Sequence, residues 1–296
     1  MPEIDLEWLR IRESYDHRSR AEDLIRQLNT FYEDRRAIRI MDLSCGTGGN
    51  FRYLAPRLRG NQTWLLQDHS TLLLNKTLET TEAWALQNGF RFTATSDRFF
   101  YLETGEAAIN CALKLESLED NLENLPWANH DVITASALLD HTSQEWLANL
   151  FRILEKLDLA FLFALHYNGM MVWQPAHPLD ARITTAFNRF MRSDRGMGAL
   201  LGDRAPSVAT RIAEQSHFEI SQSRSDWNLT EKDGDLIIRQ IQYIEEAARR
   251  MIDQDSLEIL DNWSSQKKYE ARGGRCRLTV GHTDILGLPV RGLFGG

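Results

Sequence analysis

Cysteine is scarce in this chain. Cys45, Cys111 and Cys276 are widely spaced and odd in number, and no Cys-x-x-Cys occurs. That gives no support to a zinc ribbon or a disulfide framework and points to a reduced, cytoplasmic setting. Long apolar runs are missing as well, since none approaches the ~20 residues a membrane span needs. The N-terminus, MPEIDLEWLRIRESYDHRSR, is charged and has no apolar signal core. Basic residues are outnumbered, 34 against 42 acids, for a net charge of −8. Generic nucleic-acid binding needs a basic footprint, so nucleic acid is not an expected partner. There is no internal repeat and no low-complexity stretch.

What is present is a regular alternation. The chain has 296 residues, 43% of them apolar, enough for a sizeable α/β core. Leu6, Leu9, Ile11 and Tyr15, then Leu24, Ile25 and Leu28, fall at helical spacing before the first strand. Strands are expected at 38–43, 64–67, 107–115, 131–135, 159–166, 218–224 and 277–281. Helices are expected at 48–58, 70–87, 143–156, about 179–192 and 207–215. A further helical region, 231–271, breaks near Asp253–Ser256. Residues 90–103 read as one arm of a hairpin whose turn is Thr104-Gly105, and 118–125 as a short acidic helix stopped by Pro126. The last six residues read as a frayed tail. This pattern predicts a mostly parallel sheet with helices on both faces. Such sheets bind ligands at the carboxyl ends of their strands.

One such end is Ile38 to Asn50, IRIMDLSCGTGGN, a buried strand running into a glycine-rich turn and a helix. Glycine lets the backbone approach a ligand closely. A phosphate-cradling P-loop needs Gly-Lys-Ser/Thr, and no lysine follows Gly48 or Gly49. A dinucleotide turn wants G-x-G-x-x-G, but Phe51 takes the third glycine position. Asp42 would sit awkwardly beside a pyrophosphate, whereas it suits a ligand carrying an ammonium and a sulfonium.

The run Asp42-Leu43-Ser44-Cys45-Gly46-Thr47-Gly48 resembles motif I of the class I S-adenosylmethionine-dependent methyltransferases, with Ser44 where a glycine is common. The resemblance covers residues 36–166 well and the remainder loosely. It implies a Rossmann-like, mostly parallel seven-stranded sheet, N-terminal helices and a helical cap insertion. It implies S-adenosyl-L-methionine as cofactor, with Asp42, Ser44, Cys45, Gly46, Gly48 and Asn50 forming the loop. Asp68, ending the second strand, would accept the two ribose hydroxyls, with His69 beside it. Ser117 and Leu118 would lie by the adenine, and Ala135 and Ser136 near the transferable methyl. The expected organisation is an N-terminal helical segment over the cofactor site (1–37), a cofactor-binding core (38–166), a cap insertion (167–204), and a C-terminal part of the core (205–296) with a helical insertion at about 228–273.

Methyl transfer needs mainly alignment of an acceptor and exclusion of water. A base is needed only where the acceptor carries a proton of high pKa. After the fourth strand stand Asp140 and His141, and after the fifth His166 and Tyr167, which are the candidate catalytic residues. His177, Asp180, Asn188 and Arg192 are candidate acceptor-binding residues in the cap. Arg182, Arg189 and Arg192 fall at helical spacing, either a grip for a carboxylate or phosphate or a solvated face. Tyr15 or Arg12 is placed to reach the methionine end. Trp173 and Trp227 are either pocket walls or packing. No Asn/Asp-Pro-Pro-Tyr/Phe or Pro-Cys follows the fourth strand, which disfavours nucleobase methylation and favours a small-molecule acceptor. No metal is expected, and a homo-oligomer is possible. Two other readings stay open: a catalytically inactive cofactor-binding regulatory or assembly subunit, and a nicotinamide oxidoreductase.

Overall fold

A computed structural model describes residues 5–118, 122–194 and 198–290. Two helices, α1 (Leu6–Ser19) and α2 (Glu22–Phe31), precede β1 (Ala37–Leu43), α3 (Gly49–Leu54), β2 (Asn61–Asp68) and α4 (Thr71–Gln87). Three strands follow directly: β3 (Arg91–Ser96), β4 (Phe99–Glu103) and β5 (Ala108–Leu115). Then come β6 (Val132–Ser136), α5 (Gln144–Lys156), β7 (Ala160–Gln174), α6 (Asp180–Met191) and α7 (Ala205–Gln215). The chain continues through β8 (Phe218–Arg224), β9 (Trp227–Leu229), α8 (Gly234–Arg249), α9 (Leu257–Arg272) and β10 (Arg277–Pro289).

Local chemistry explains several boundaries. Asp5, Ser70 and Ser143 cap α1, α4 and α5 by accepting the backbone N–H three residues on. In α5 the buried Leu147, Leu150, Phe151 and Leu154 form one stripe, so this helix lies on the sheet.

The strands form one sheet in the order β3-β4-β5-β2-β1-β6-β7-β10-β8, with β9 pairing β10. The β5, β2, β1, β6 and β7 pairings are parallel, and β10 runs antiparallel to both β7 and β8. This is a Rossmann-like α/β fold. The chain moves outward from β1 through β2 to β5, then returns to β6 on the other side of β1. The switch point therefore lies between β1 and β6, where such sheets open a ligand crevice.

Three apolar layers hold the molecule. Leu24, Leu28, Phe51, Leu54 and Leu74 cover one face of the sheet. Leu147, Leu150, Phe151, Ala209 and Phe163 cover the other. A third layer, with Trp173, Phe187, Leu236, Ile241 and Trp263, joins α6, α8 and α9 to the far ends of β7 and β10. Helix α6 and the helices of the 228–273 region thus share one core, and Trp173 and Trp227 are packing residues buried within it.

The structure differs from the sequence expectation in places. Among the described residues there are ten strands rather than seven. Residues 90–103 fold back on themselves as the β3–β4 hairpin, and β4 pairs β5. The fifth expected strand does not end at His166 but runs to Gln174, because the start of β10, Arg277–Val280, pairs along Met171–Gln174. Apolar runs mark only the part buried on both faces, and the half-buried extension beyond it reads as loop. The helix expected at 118–125 falls partly outside the described residues, where only the short turn Leu122–Asn124 is seen. The C-terminal tail also lies outside them.

At Gly287 on β10, paired with Phe161, a Cβ would overlap the Phe161 ring. Gly287→Ala should cost about 1–3 kcal/mol by overpacking, and Phe161→Leu in the same chain should recover part of it. Urea midpoints at constant m-value measure this; an unchanged midpoint in the single variant would show that the ring yields freely.

Candidate functional site

The turn after β1 is built by backbone geometry. Ser44, Gly46 and Gly48 all have positive φ, 51°, 59° and 82°. An L-residue there costs on the order of 1 kcal/mol, which Ser44 offsets by donating its N–H to Gln67 Oε1 at 3.1 Å. The two glycines serve different ends. A Cβ at Gly48 would lie 2.8 Å from Thr77 Cγ2, so glycine there permits α4 to pack close. A Cβ at Gly46 would meet nothing within 4 Å, so this face of the turn is open.

Asp42 and Asp68 flank the turn from adjacent strands, both buried. Asp68 accepts Gly46 N–H and Ser70 N–H, each at 2.9 Å, which ties the turn to β2. Burial pushes its carboxyl upward against those bonds. Asp42 accepts Asn50 Nδ2 at 2.8 Å through Oδ1, while its Oδ2 is buried without a partner. Burial raises its pKa to about 7, more than the Asn50 bond and the Arg20 charge lower it. Cys45 is buried and its thiol is pushed well up, first by burial and then by Asp42. It is therefore an unreactive packing thiol.

Asn50 also donates to Thr134 Oγ1 and accepts Arg20 Nη1 at 2.7 Å. Arg20 reaches on to Asp284 Oδ2 at 3.2 Å, and Asp284 in turn accepts Ala21 N–H and Leu165 N–H. Arg20 and Asp284 side chains are 2% and 1% exposed. Arg20 Nη2 is, like Asp42 Oδ2, a buried atom with no partner. The site thus holds one unpaired donor and one unpaired acceptor on either side of Asn50.

Helix α1 closes onto the same turn. Glu13 holds Arg52 with bonds of 2.8 and 2.6 Å, Arg52 donates to Thr47 O, and His17 Nε2 lies 2.8 Å from Gly49 O. Tyr15 and Arg12 do not reach the turn as expected. Tyr15 donates to Asp233, and Arg12 pairs with Asp16 while lying over Trp227. Arg20, just past α1, instead reaches Asn50 at the start of α3.

Across the switch point, Ala135 is buried, Ser136 half-buried, and the turn Leu139–His141 follows. His166 is fully buried, its Nδ1 3.9 Å from Asp140 Oδ1. His141 Nε2 lies 3.5 Å from Asp140 Oδ2. Burial works against ionisation of Asp140, yet the charges of His141 and His166 hold its carboxyl well below the usual range. Tyr167 donates to Asn188 Oδ1 at 2.7 Å, and its phenol is pushed up by burial and by Asp203 and Asp140.

The structure brings Asp140, His141, His166 and Tyr167 together, and links Asn188 to them. It sets His177 and Asp180 apart, since the strand carries Gln174 eight residues past His166, roughly 25 Å along it. There Asp180 accepts His177 N–H, Trp263 Nε1 and Lys267 Nζ, a clamp between α6 and α9. Two of the three arginines in the row are engaged, and the third, Arg189, is exposed. Arg192 is held by both oxygens of Asp203 at 2.6 and 2.8 Å, and Arg182 by Ser256 and Asp253. Of the remaining cofactor candidates, Ser117 and Leu118 follow β5 half-buried, and exposed His69 lies 3.4 Å from Asp68.

Sequence reading gave no role to His17, Glu13, Asp203, His282 or Asp284. His282 pairs with Tyr167 in the sheet, packs 5.2 Å from Trp227, and has its pKa lowered to about 4 by burial. A separate depression of about 500 Å³, around Tyr32, Arg39, His130 and Asp131, lies at the opposite, amino ends of the strands. Among the described residues no three His, Cys, Asp or Glu side chains converge as a metal site.

No family model matches the chain, and no curated protein does. Solved structures do. The YcgJ protein from Bacillus subtilis aligns over 92% of this chain and 100% of its own, at TM-score 0.49 and 13% identity. A cyclopropane-fatty-acyl-phospholipid synthase-like protein from Lactobacillus casei aligns over 93% and 98%, at 0.47 and 13%. Geranyl diphosphate C-methyltransferase from Streptomyces coelicolor, in complex with Mg2+, geranyl diphosphate and S-adenosyl-L-homocysteine, aligns over 89% and 79%, at 0.39 and 10%.

Removing one partner of the Arg20–Asp284 pair strands the other's charge in the interior. Asp284→Ala and Arg20→Ala should each destabilise by about 3–5 kcal/mol, and the double variant by clearly less than their sum. Denaturant unfolding of the four proteins tests this, and simple additivity would show that the two charges are uncoupled.

Proposed function

We propose that this chain is an S-adenosyl-L-methionine-dependent methyltransferase acting on a small-molecule acceptor. The observation that carries the reading is the pair of buried, unpartnered atoms beside the glycine turn. Asp42 Oδ2 is an anionic acceptor and Arg20 Nη2 a cationic donor, a complement to the ammonium and carboxylate of an amino-acid end. A buried polar atom without a partner is costly, and a zwitterion satisfies both at once. Asp68 retains lone pairs beyond its two backbone bonds and suits a vicinal diol. A pyrophosphate fits this acidic, lysine-free turn poorly.

Asp42, Arg20, Asp68 and the open face at Gly46 would hold the cofactor, whose sulfonium supplies an electrophilic methyl carbon. The protein's own contribution is alignment and dryness. Helix α1, clamped to the turn by Glu13, His17 and Arg20, covers it from one side. The acceptor belongs across the switch point, beside Ser136, Asp140 and His166. The net charge of −8 favours a small molecule over nucleic acid. Three buried free cysteines fit a cytoplasmic setting, and no helix among the described residues is long and apolar enough to cross a membrane.

Calorimetric titration should show binding of S-adenosylmethionine and S-adenosylhomocysteine and none of NAD; the reverse pattern would sink the reading. Asp68→Ala should weaken S-adenosylhomocysteine by about 1.5–3 kcal/mol through lost hydrogen bonds to a charged group.

The raised pKa of Asp42, about 7, gives a second test. The folded protein keeps this proton at pH values where the unfolded carboxyl has lost it, so the group's contribution to stability falls as pH rises towards 7. An ammonium selects the ionised form. Affinity for S-adenosylhomocysteine should therefore fall as pH drops through about 7, by at most about tenfold per pH unit. Asp42→Asn should flatten that dependence as well as weaken binding; a pH-dependent slope surviving in the variant would assign the proton elsewhere.

A further inference from the structure

Strands β2, β5, β4 and β3 make up one end of the sheet, and the described helices cover only one side of it. On that side Phe100, Leu102, Ile109 and Cys111 are buried in the layer that includes Leu74 and Ala85 of α4. On the other side the layer beneath α5 and α7 ends, among the described strands, at Leu65 of β2. The chain goes from β5 to β6 through two short turns, Leu122–Asn124 and Trp127–Asn129, rather than a long helix. Leu122, Leu125 and Trp127 turn back into the α5 layer and give β5, β4 and β3 no apolar cover.

Strand register shows what this uncovered side carries. β4 contributes Phe99, 54% exposed, with Tyr101 and Glu103. Beside them on β5 stand Ala112, Asn110 and Ala108. Cross-strand partners share a face, so large side chains on β4 form a ridge and small ones on β5 a groove along it. The groove continues over Thr63 of β2, opposite Asn110. Charge over these rows is balanced. Arg91 of β3 holds Glu103 at 2.8 Å, and Tyr101 donates to the same carboxylate at 3.1 Å. The chain as a whole carries −8. The longest segment outside the described residues, 291–296, follows β10, which is five strands or about 24 Å from β5. Six extended residues span at most about 21 Å, so this segment does not supply the cover.

We propose that a second copy of the chain docks on this face, as a weak two-fold dimer. A ridge and a groove lying side by side complement a copy of themselves turned about a two-fold axis, with β4 of each copy over β5 of the other. Phe99 of one copy then meets Ala112 of the other, and the reverse. Two chains of net charge −8 repel at long range, and they approach at least cost through a surface without net charge. A strongly basic or acidic partner finds no unpaired charge in these rows to grip. Four strands at about 4.8 Å and five residues at about 3.3 Å outline roughly 19 by 17 Å, about 320 Å² in plan from each copy. The two copies together bury less than a standard interface of about 1,600 Å², so the dimer is reversible and dissociates in the micromolar range.

Sedimentation velocity of the full chain from about 1 to 500 µM should show the mass rising from one chain towards two. Phe99→Glu and Ala112→Lys change side chains on the uncovered side, and each alone should weaken association by about thirtyfold. Mixing the two variants should restore it, because Glu of one copy then meets Lys of the other. Leu86→Glu, at a 69% exposed position of α4, should leave it unchanged. Hydroxyl-radical footprinting of the wild type needs no variant. Phe99 and Tyr101 should become protected as concentration rises, while Leu86 and the 67% exposed Tyr269 should not. A chain that stays monomeric throughout, association indifferent to Phe99→Glu, variants that fail to associate when mixed, or protection centred on Leu86 or Tyr269 would overturn the proposal.

Discussion

The structure depends on one buried ion pair. Arg20 and Asp284 come from opposite ends of the chain and meet where water is excluded. Desolvating both charges is expensive, and their attraction offsets that cost only because other bonds satisfy the remaining atoms. Asp284 takes the N–H groups of Ala21 and Leu165, and Arg20 takes Asn50. Through Asn50 the pair reaches Asp42 and Thr134, that is, β1 and β6. One set of side chains thus fixes the α1–α2 junction, the start of α3, the bulge in β7 and the switch point of the sheet. A neutral contact here would pack as well but would not specify register, because apolar surfaces slide at little cost. Hydrogen-bonded charges do not.

That constraint leaves an imbalance, and the imbalance gives the site its chemistry. Acids approach the crevice on both sides: Asp42 and Asp68 at the turn, Asp140 across from it. The bases that answer them are mostly engaged. Arg52 belongs to Glu13, Arg192 to Asp203, and Arg20 to Asp284 with one nitrogen left over. Burial moves Asp42 towards neutrality against the Asn50 bond and the Arg20 charge, while Asp140 stays ionised by virtue of two histidines.

The parts of this site that could be read in the sequence are those built from contiguous residues. The glycine turn, Asp42 and Asp68 lie within thirty residues, and each marks a strand end by its own chemistry. Asp140 and His166 were nameable because polar residues closing apolar runs mark the ligand edge of a parallel sheet. The remainder depends on distance in sequence or on irregular backbone. Nothing near Arg20 announces a partner 264 residues away. His282 lies one residue past the strand expected at 277–281, which in the structure runs on to Pro289. Asp203, which neutralises Arg192, follows a stretch whose glycines read only as loop. The extension of β7 past His166 was hidden because only its first half is buried on both faces.

The bulges in β7 matter because a regular strand could not do what this one does. Along a pleated strand, neighbouring side chains point to opposite faces. His166 contacts Phe163 and the layer beneath α5 and α7, whereas Tyr167 packs on Phe187 of α6. Asp284, opposite the first bulge, bonds Leu165 N–H and faces Arg20 and the glycine turn. His282, two residues earlier in β10, faces Tyr167 and Trp227 instead. In a regular strand residues two apart share a face, and Asp284 and His282 would compete for one side. The extra residues in β7 relieve that competition. They let a single antiparallel strand tether the glycine turn through Asp284 and wall the Tyr167–Trp227 face through His282, in fixed relation across β7.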